Sequence, residues 1–112
     1  MMVRTKTLWL KDDYLQHILN SRKTVEVRVA YANIVRLQPG DILWLNEQHR
    51  YTITAIRRYA DFETMAAAEE PGQIAPELPD RAALVAACRA LYPPDKEALG
   101  VVALEITPTP DR

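Results

Sequence analysis

Between Ser21 and Arg28 the chain gathers Arg22, Lys23, Thr24, Glu26 and Arg28 in one short segment. Read as an extended strand, the four steps from Thr24 to Arg28 cover roughly 13 Å. Alternation puts Thr24, Glu26 and Arg28 on one face and Val25, Val27 and Val29 on the other. A hydroxyl, a carboxylate and a guanidinium then stand in a row, with the Lys23 ammonium at its head. Such a row suits a polar planar ligand, because Arg offers a rigid fork of donors and Glu accepts from an amine. The same residues also suit a solvated strand face on which Glu26 and Arg28 pair with each other.

Other groups invite weaker readings. Arg57-Arg58-Tyr59 sets cations beside an aromatic ring, a combination suited to phosphate contact with base stacking, or to a plain charged strand end. Glu77 lies in the segment Pro71–Pro79, with Glu69 and Glu70 nearby; a loop carboxylate gains chemical interest only from what faces it. Tyr92 follows a helix and offers a ring to any neighbouring cleft. His17, His49 and Cys88 have no paired-ligand spacing, so no metal or other cofactor is expected. Cys88 falls on an apolar helix stripe and reads as a small buried hydrophobe. Trp9 and Trp44 sit in apolar strands and read as core.

The elements that must position these groups follow from periodicity and punctuation. Thr5–Leu10 reads as a strand, and Asp12 or Asp13 as the N-cap of a helix reaching Asn20, with Tyr14, Leu15, Ile18 and Leu19 inward. Lys23–Ala30 reads as the second strand. Pro39-Gly40-Asp41 turns into a strand over Asp41–Leu45, and Tyr51–Tyr59 is a longer one. Asp61 caps a helix to about Glu69 with Phe62, Met65 and Ala66 inward; Pro71–Pro79 reads as a loop. Asp80 caps a helix carrying Leu84, Ala87, Cys88 and Leu91 at i, i+3, i+4 and i+7. Gly100–Ile106 is the last strand. The order β-α-β-β-β-α-α-β implies an α+β fold, a small mixed β-barrel of about five strands flanked by about three helices.

A chain of 112 residues makes one domain, expected over residues 1–106 with a short tail at 107–112. No apolar run is long enough to span a bilayer, and the opening residues are too polar for a secretory signal. With a single cysteine, the expected setting is cytoplasmic. The net charge of −1 conceals an asymmetry: residues 1–58 hold ten Lys/Arg against five Asp/Glu, and residues 59–112 hold four against ten. If the fold brings Lys23 and Arg28 against the loop of Glu77, the two halves become walls of one mixed-charge cleft, better suited to a small polar ligand than to a long polyanion.

These residues also carry a family resemblance. The helix followed by Ser21-Arg22-Lys23-Thr24-Val25-Glu26-Val27-Arg28 resembles the (G/S)-x-K-x-x-E-x-R element of ASCH domains, small PUA-like domains that include single-domain bacterial proteins. Pro39-Gly40-Asp41-Ile42, Tyr59-Ala60-Asp61-Phe62, Leu91-Tyr92-Pro93 and Gly100–Ile106 follow in matching order, so the likeness spans about residues 5–106. It implies a β-barrel with a cleft beside the K-x-x-E-x-R strand, and as partner RNA, another single-stranded nucleic acid or a modified nucleoside. On this reading Lys23, Thr24, Glu26, Arg28, Tyr59 and Tyr92 bind the ligand.

Some small members of the family are amidohydrolases acting on N4-acylated cytidines, through a K-x-x-T motif and a later glutamate. Lys23 matches that lysine, and Glu77, counted back from Tyr92-Pro93, matches that glutamate. Glu26 occupies the threonine position, and Thr24 is out of register with it. An enzyme built here would use Lys23, Glu26 and Glu77, with Glu26 aligning water because it lacks a hydroxyl nucleophile. A protein-interaction domain without catalysis is the third reading.

Overall fold

The computed structural model describes residues 2–110; residue 1 and the end of the predicted tail, residues 111–112, lie outside the described residues. Strands Thr5–Leu8 (β1), Val25–Val29 (β2), Ile42–Leu45 (β3), His49–Tyr59 (β4) and Val101–Pro108 (β5) form one sheet in the order β1-β3-β4-β5-β2. Only β1 and β3 run parallel; every other neighbouring pair is antiparallel. The sheet curls as a half-barrel, the small mixed α+β architecture expected from the sequence. A register shift between Ile53 and Ala55 bends the long β4, as an extra residue in one strand does.

The apolar run of β5 explains its place inside the sheet. Val102, Leu104 and Ile106 join one buried cluster with Leu8, Leu15, Ile18, Leu43 and Leu45. Val101 and Ala103 join the other with Val25, Val29, Phe62, Met65 and Leu84. A strand buried on both faces needs apolar residues at every position, which Val101–Leu104 supply. The edge strand β2 alternates instead, sending its valines toward the second cluster and keeping Glu26 and Arg28 off that face.

Helices Asp12–Leu19 (α1), Phe62–Ala68 (α3) and Arg81–Ala90 (α5) lie where periodicity places them. Asp61 and Asp80 accept from the amides of Thr64 and Ala83, capping α3 and α5 as expected. Helix α1 differs: its N-cap is Lys11, without a side-chain cap. Asp12 and Asp13 stand inside its first turn, where their charge still favours the positive end of the helix. Two short helices, Ala32–Val35 (α2) and Pro71–Ile74 (α4), and a 3-10 turn at Pro94–Leu99 occupy segments read as connections. Four residues are too few to display a helical period, and Pro71 opens α4 at the one place where proline's missing N–H costs nothing.

Both tryptophans depart from the core role expected of them: Trp9 is 63% exposed and Trp44 40% exposed. Leu8, Leu43 and Leu45 take the inward positions, and the neighbouring tryptophans turn outward. Leu91 departs as well. Helix α5 ends at Ala90, and Leu91 is 61% exposed rather than continuing the stripe. Among the described residues no helix is long and apolar enough to cross a membrane.

Candidate functional site

The site begins at the end of α1. The Ser21 amide donates to the Ile18 carbonyl, and the amides of Arg22 and Lys23 donate to the His17 carbonyl. This is a Schellman-type stop, and Ser21 adopts the left-handed φ of 66° at the position where glycine is usual. The reversal aims the Lys23 side chain back into the protein, leaving Lys23 only 3% exposed.

A buried ammonium needs acceptors, and Lys23 has them. Its Nζ donates to the carbonyls of Val25 and Ile74, each at 2.7 Å, and pairs with Glu26 Oε1 at 3.0 Å. The other carboxylate oxygen of Glu26 accepts from Arg28 Nε at 2.7 Å, and Arg28 Nη2 donates to the Trp9 carbonyl. Burial works against ionisation of Glu26, but the charges of Lys23 and Arg28 outweigh it and hold the carboxyl below its ordinary range. Glu26 is therefore a fixed acceptor between two cations.

This triad lies at a cleft of about 510 Å³ that runs beside the free edge of β2. That volume falls in the range of small-molecule sites, about 300–1,000 Å³. Trp9, Lys11 and Tyr14 form one wall, and Ala87, Leu91 and Tyr92 the other. Asn46 fixes the first wall: its side chain accepts from the Leu10 amide and donates to the Leu10 carbonyl. Asn46 and Glu47 both have positive φ in the tight β3–β4 turn, which brings the Asn46 amide against Leu10. Tyr92 stacks on Phe62, and its hydroxyl accepts from the Val29 amide. Cys88 also lines the cleft; burial pushes its thiol up to about 11, so it is protonated at neutral pH.

Sequence reasoning gathered seven site candidates, and Lys23, Glu26, Arg28 and Tyr92 meet in this cleft. Thr24 turns away and donates to Gln73 Oε1 at 2.6 Å. Tyr59 donates to Glu69, which also holds Arg57 in a two-pronged pair, in a separate network with Glu105. Glu77 makes no ion pair with Lys23; its Oε1 lies 3.6 Å from His17 Nε2. The acid facing Lys23 comes from the same half of the chain, so the mixed charge of the cleft is local to β2. Trp9 is a wall residue rather than a core one, and its alternation with Leu8 and Leu10 is the signal in the sequence that sets it on the opposite face. Among the described residues no group of three or more His, Cys, Asp or Glu could hold a metal ion.

The main chain of β2 contributes as well. The Thr24 carbonyl and Ala30 amide bond toward β5, so Glu26 and Arg28, at the same parity, do likewise. Val25, Val27 and Val29 point their backbone groups to the free edge. Lys23 covers the Val25 carbonyl and Tyr92 the Val29 amide, leaving the Val27 N–H and C=O open to the cleft. Amide hydrogen exchange followed by NMR is expected to be at least tenfold faster at Val27 than at Glu26 and Arg28. Equal protection at all three would contradict this edge assignment.

A family model described as ASCH domain matches residues 8–110. The chain is similar to the crystal structure of hypothetical protein PH0355, with a TM-score of 0.89 and 26% identity over 94% of this chain and 99% of that one. It is also similar to the solution NMR structure of protein PF0455 from Pyrococcus furiosus, with a TM-score of 0.79 and 26% identity over 93% of this chain and 96% of that one. Among curated proteins none matches the chain.

Proposed function

The chain belongs to the ASCH domain family, a family associated with RNA binding, and from that premise we propose that its cleft binds a base of single-stranded RNA or of a modified nucleoside. The observation that carries this reading is the Lys23–Glu26–Arg28 triad at the cleft. Glu26 offers acceptor lone pairs beside the Arg28 N–H groups that neither Glu26 nor Trp9 uses. An exocyclic amine next to a ring nitrogen, as on cytosine, complements that acceptor-then-donor pattern. Lys23 holds Glu26 in place; its three protons already have acceptors, so phosphate contact falls to Arg28 and Lys11.

Two alternatives receive less support. Acyl removal from N4-acylated cytidine asks for Lys23 with a free lone pair beside a second glutamate, whereas Lys23 donates to three acceptors and Glu77 faces His17. Strand addition by a peptide partner asks for a run of open backbone groups, whereas Lys23 at the Val25 carbonyl and Tyr92 at the Val29 amide interrupt that run on both sides of Val27.

Trp9 provides the test. Short single-stranded RNA, titrated across a salt series, is expected to bind the native protein and to bind Trp9→Ala about 10-fold more weakly, since stacking contributes about 1–3 kcal/mol per base. Because Trp9 is mostly exposed, the variant should melt close to the native protein. Absence of binding at low salt, or equal binding by both proteins, would overturn the reading.

A further inference from the structure

A second hollow of about 270 Å³ adjoins the cleft, and the two share Trp9, Arg28 and Tyr92 in their walls. Lys6, Thr7, Tyr31 and Asn33 complete its polar lining, and no Asp or Glu takes part. The Lys6 ammonium is in no ion pair among the described residues, and the Asn33 side chain has no hydrogen-bond partner there. The contrast with the main cleft is chemical. There Glu26 offsets the cations; here Lys6, which has no acid beside it, lines a hollow together with Arg28, whose own charge Glu26 offsets from the main cleft.

We propose that this second hollow is a subsite for the phosphate and ribose of a neighbouring nucleotide, so that the ligand is a chain of at least two nucleotides. The inference rests on the base-binding reading of the main cleft. With a base against Glu26 and Arg28, its phosphodiester passes the shared Trp9–Arg28–Tyr92 border. The remaining Arg28 N–H groups and Lys6 then meet the phosphate oxygens, and Asn33 meets the adjoining ribose hydroxyl. The acid-free lining matches a phosphate, whereas a lone nucleoside leaves both Lys6 and Asn33 without a partner.

Four parallel titrations, one for each base, test this with the nucleoside, its 3′-monophosphate and the corresponding dinucleoside monophosphate. In at least one series the dinucleoside monophosphate is expected to bind about tenfold tighter than the nucleoside, and the 3′-monophosphate to fall between them. Lys6→Gln, which keeps most of the side-chain stem on β1, is expected to remove most of that gain and leave nucleoside affinity unchanged. Asn33→Ala should lower dinucleotide affinity alone. A dinucleotide no better than the nucleoside, or a gain that survives Lys6→Gln, overturns the subsite. A 3′-monophosphate equal to the dinucleotide overturns the chain and leaves a terminal phosphate as the ligand. If no nucleoside and no dinucleotide binds in any series, the base-binding reading itself fails, and this inference with it.

Discussion

Replacing Lys23 with methionine is expected to lower the stability of the domain by about 3–5 kcal/mol, the usual consequence of leaving one partner of a buried ion pair behind. Methionine preserves most of the aliphatic stem, so the loss comes from the missing ammonium. The carbonyls of Val25 and Ile74 lose a donor, and Glu26, only 8% exposed, keeps Arg28 as its sole cation. For a domain of this size that is a fall in Tm of about 12–25 °C. Thermal melts followed by circular dichroism check it, and an unchanged Tm would refute it. Adding Glu26→Gln should recover at least about 1 kcal/mol relative to the sum of the single changes, because it removes the stranded charge.

The same pair makes the domain sensitive to acid. The folded-state pKa of Glu26 is depressed, so its ionised form favours folding above the ordinary carboxylate range, near pH 4.3 or so. That contribution fades as the pH falls from there through the lower folded value. Melts of the native protein should therefore lose stability in this acid window, and Lys23→Met should lose less, since less of the depression remains.

The parts of the fold that were legible are those with a long enough signal. Helices α3 and α5 each have an aspartate cap and about two to three turns of inward spacing, and β2 and β5 display their burial in alternating and continuous apolar patterns. The short helices α2 and α4 lacked that length. At the site, the grouping of Lys23, Glu26 and Arg28 was legible because one strand carries all three. The position of Glu77 was not, because it depends on where the loop after α4 meets α1 at His17, and local pattern says nothing of that. Trp9 illustrates a different limit. Its apolar strand argued for the core, and only the parity of Leu8 and Leu10 argued for the surface, where the fold places it.

Arg28→Ala and Glu26→Gln should separate what the two readers of the cleft do. Arg28 is partly exposed, and its removal leaves Glu26 paired with Lys23, so the fold should lose about 1–3 kcal/mol, less than in Lys23→Met. Binding of short single-stranded RNA should fall about tenfold to hundredfold, the worth of hydrogen bonds to a charged group, and the salt dependence should become shallower. Glu26→Gln predicts a different pattern. The amide keeps the shape but brings its own donors against Lys23 or Arg28, and its remaining oxygen is a weaker acceptor for an amine. Preference for bases that carry an exocyclic amine should therefore shrink, measured as the ratio of cytidine to uridine oligomer affinities, while Arg28→Ala should weaken both oligomers by similar factors. The direction follows from the geometry: a carboxylate fixed between two cations selects by accepting, and the guanidinium beside it holds whatever is selected. Parallel losses in both variants, with the cytidine-to-uridine ratio unmoved by Glu26→Gln, would remove Glu26 as a reader and leave the triad as a structural clasp.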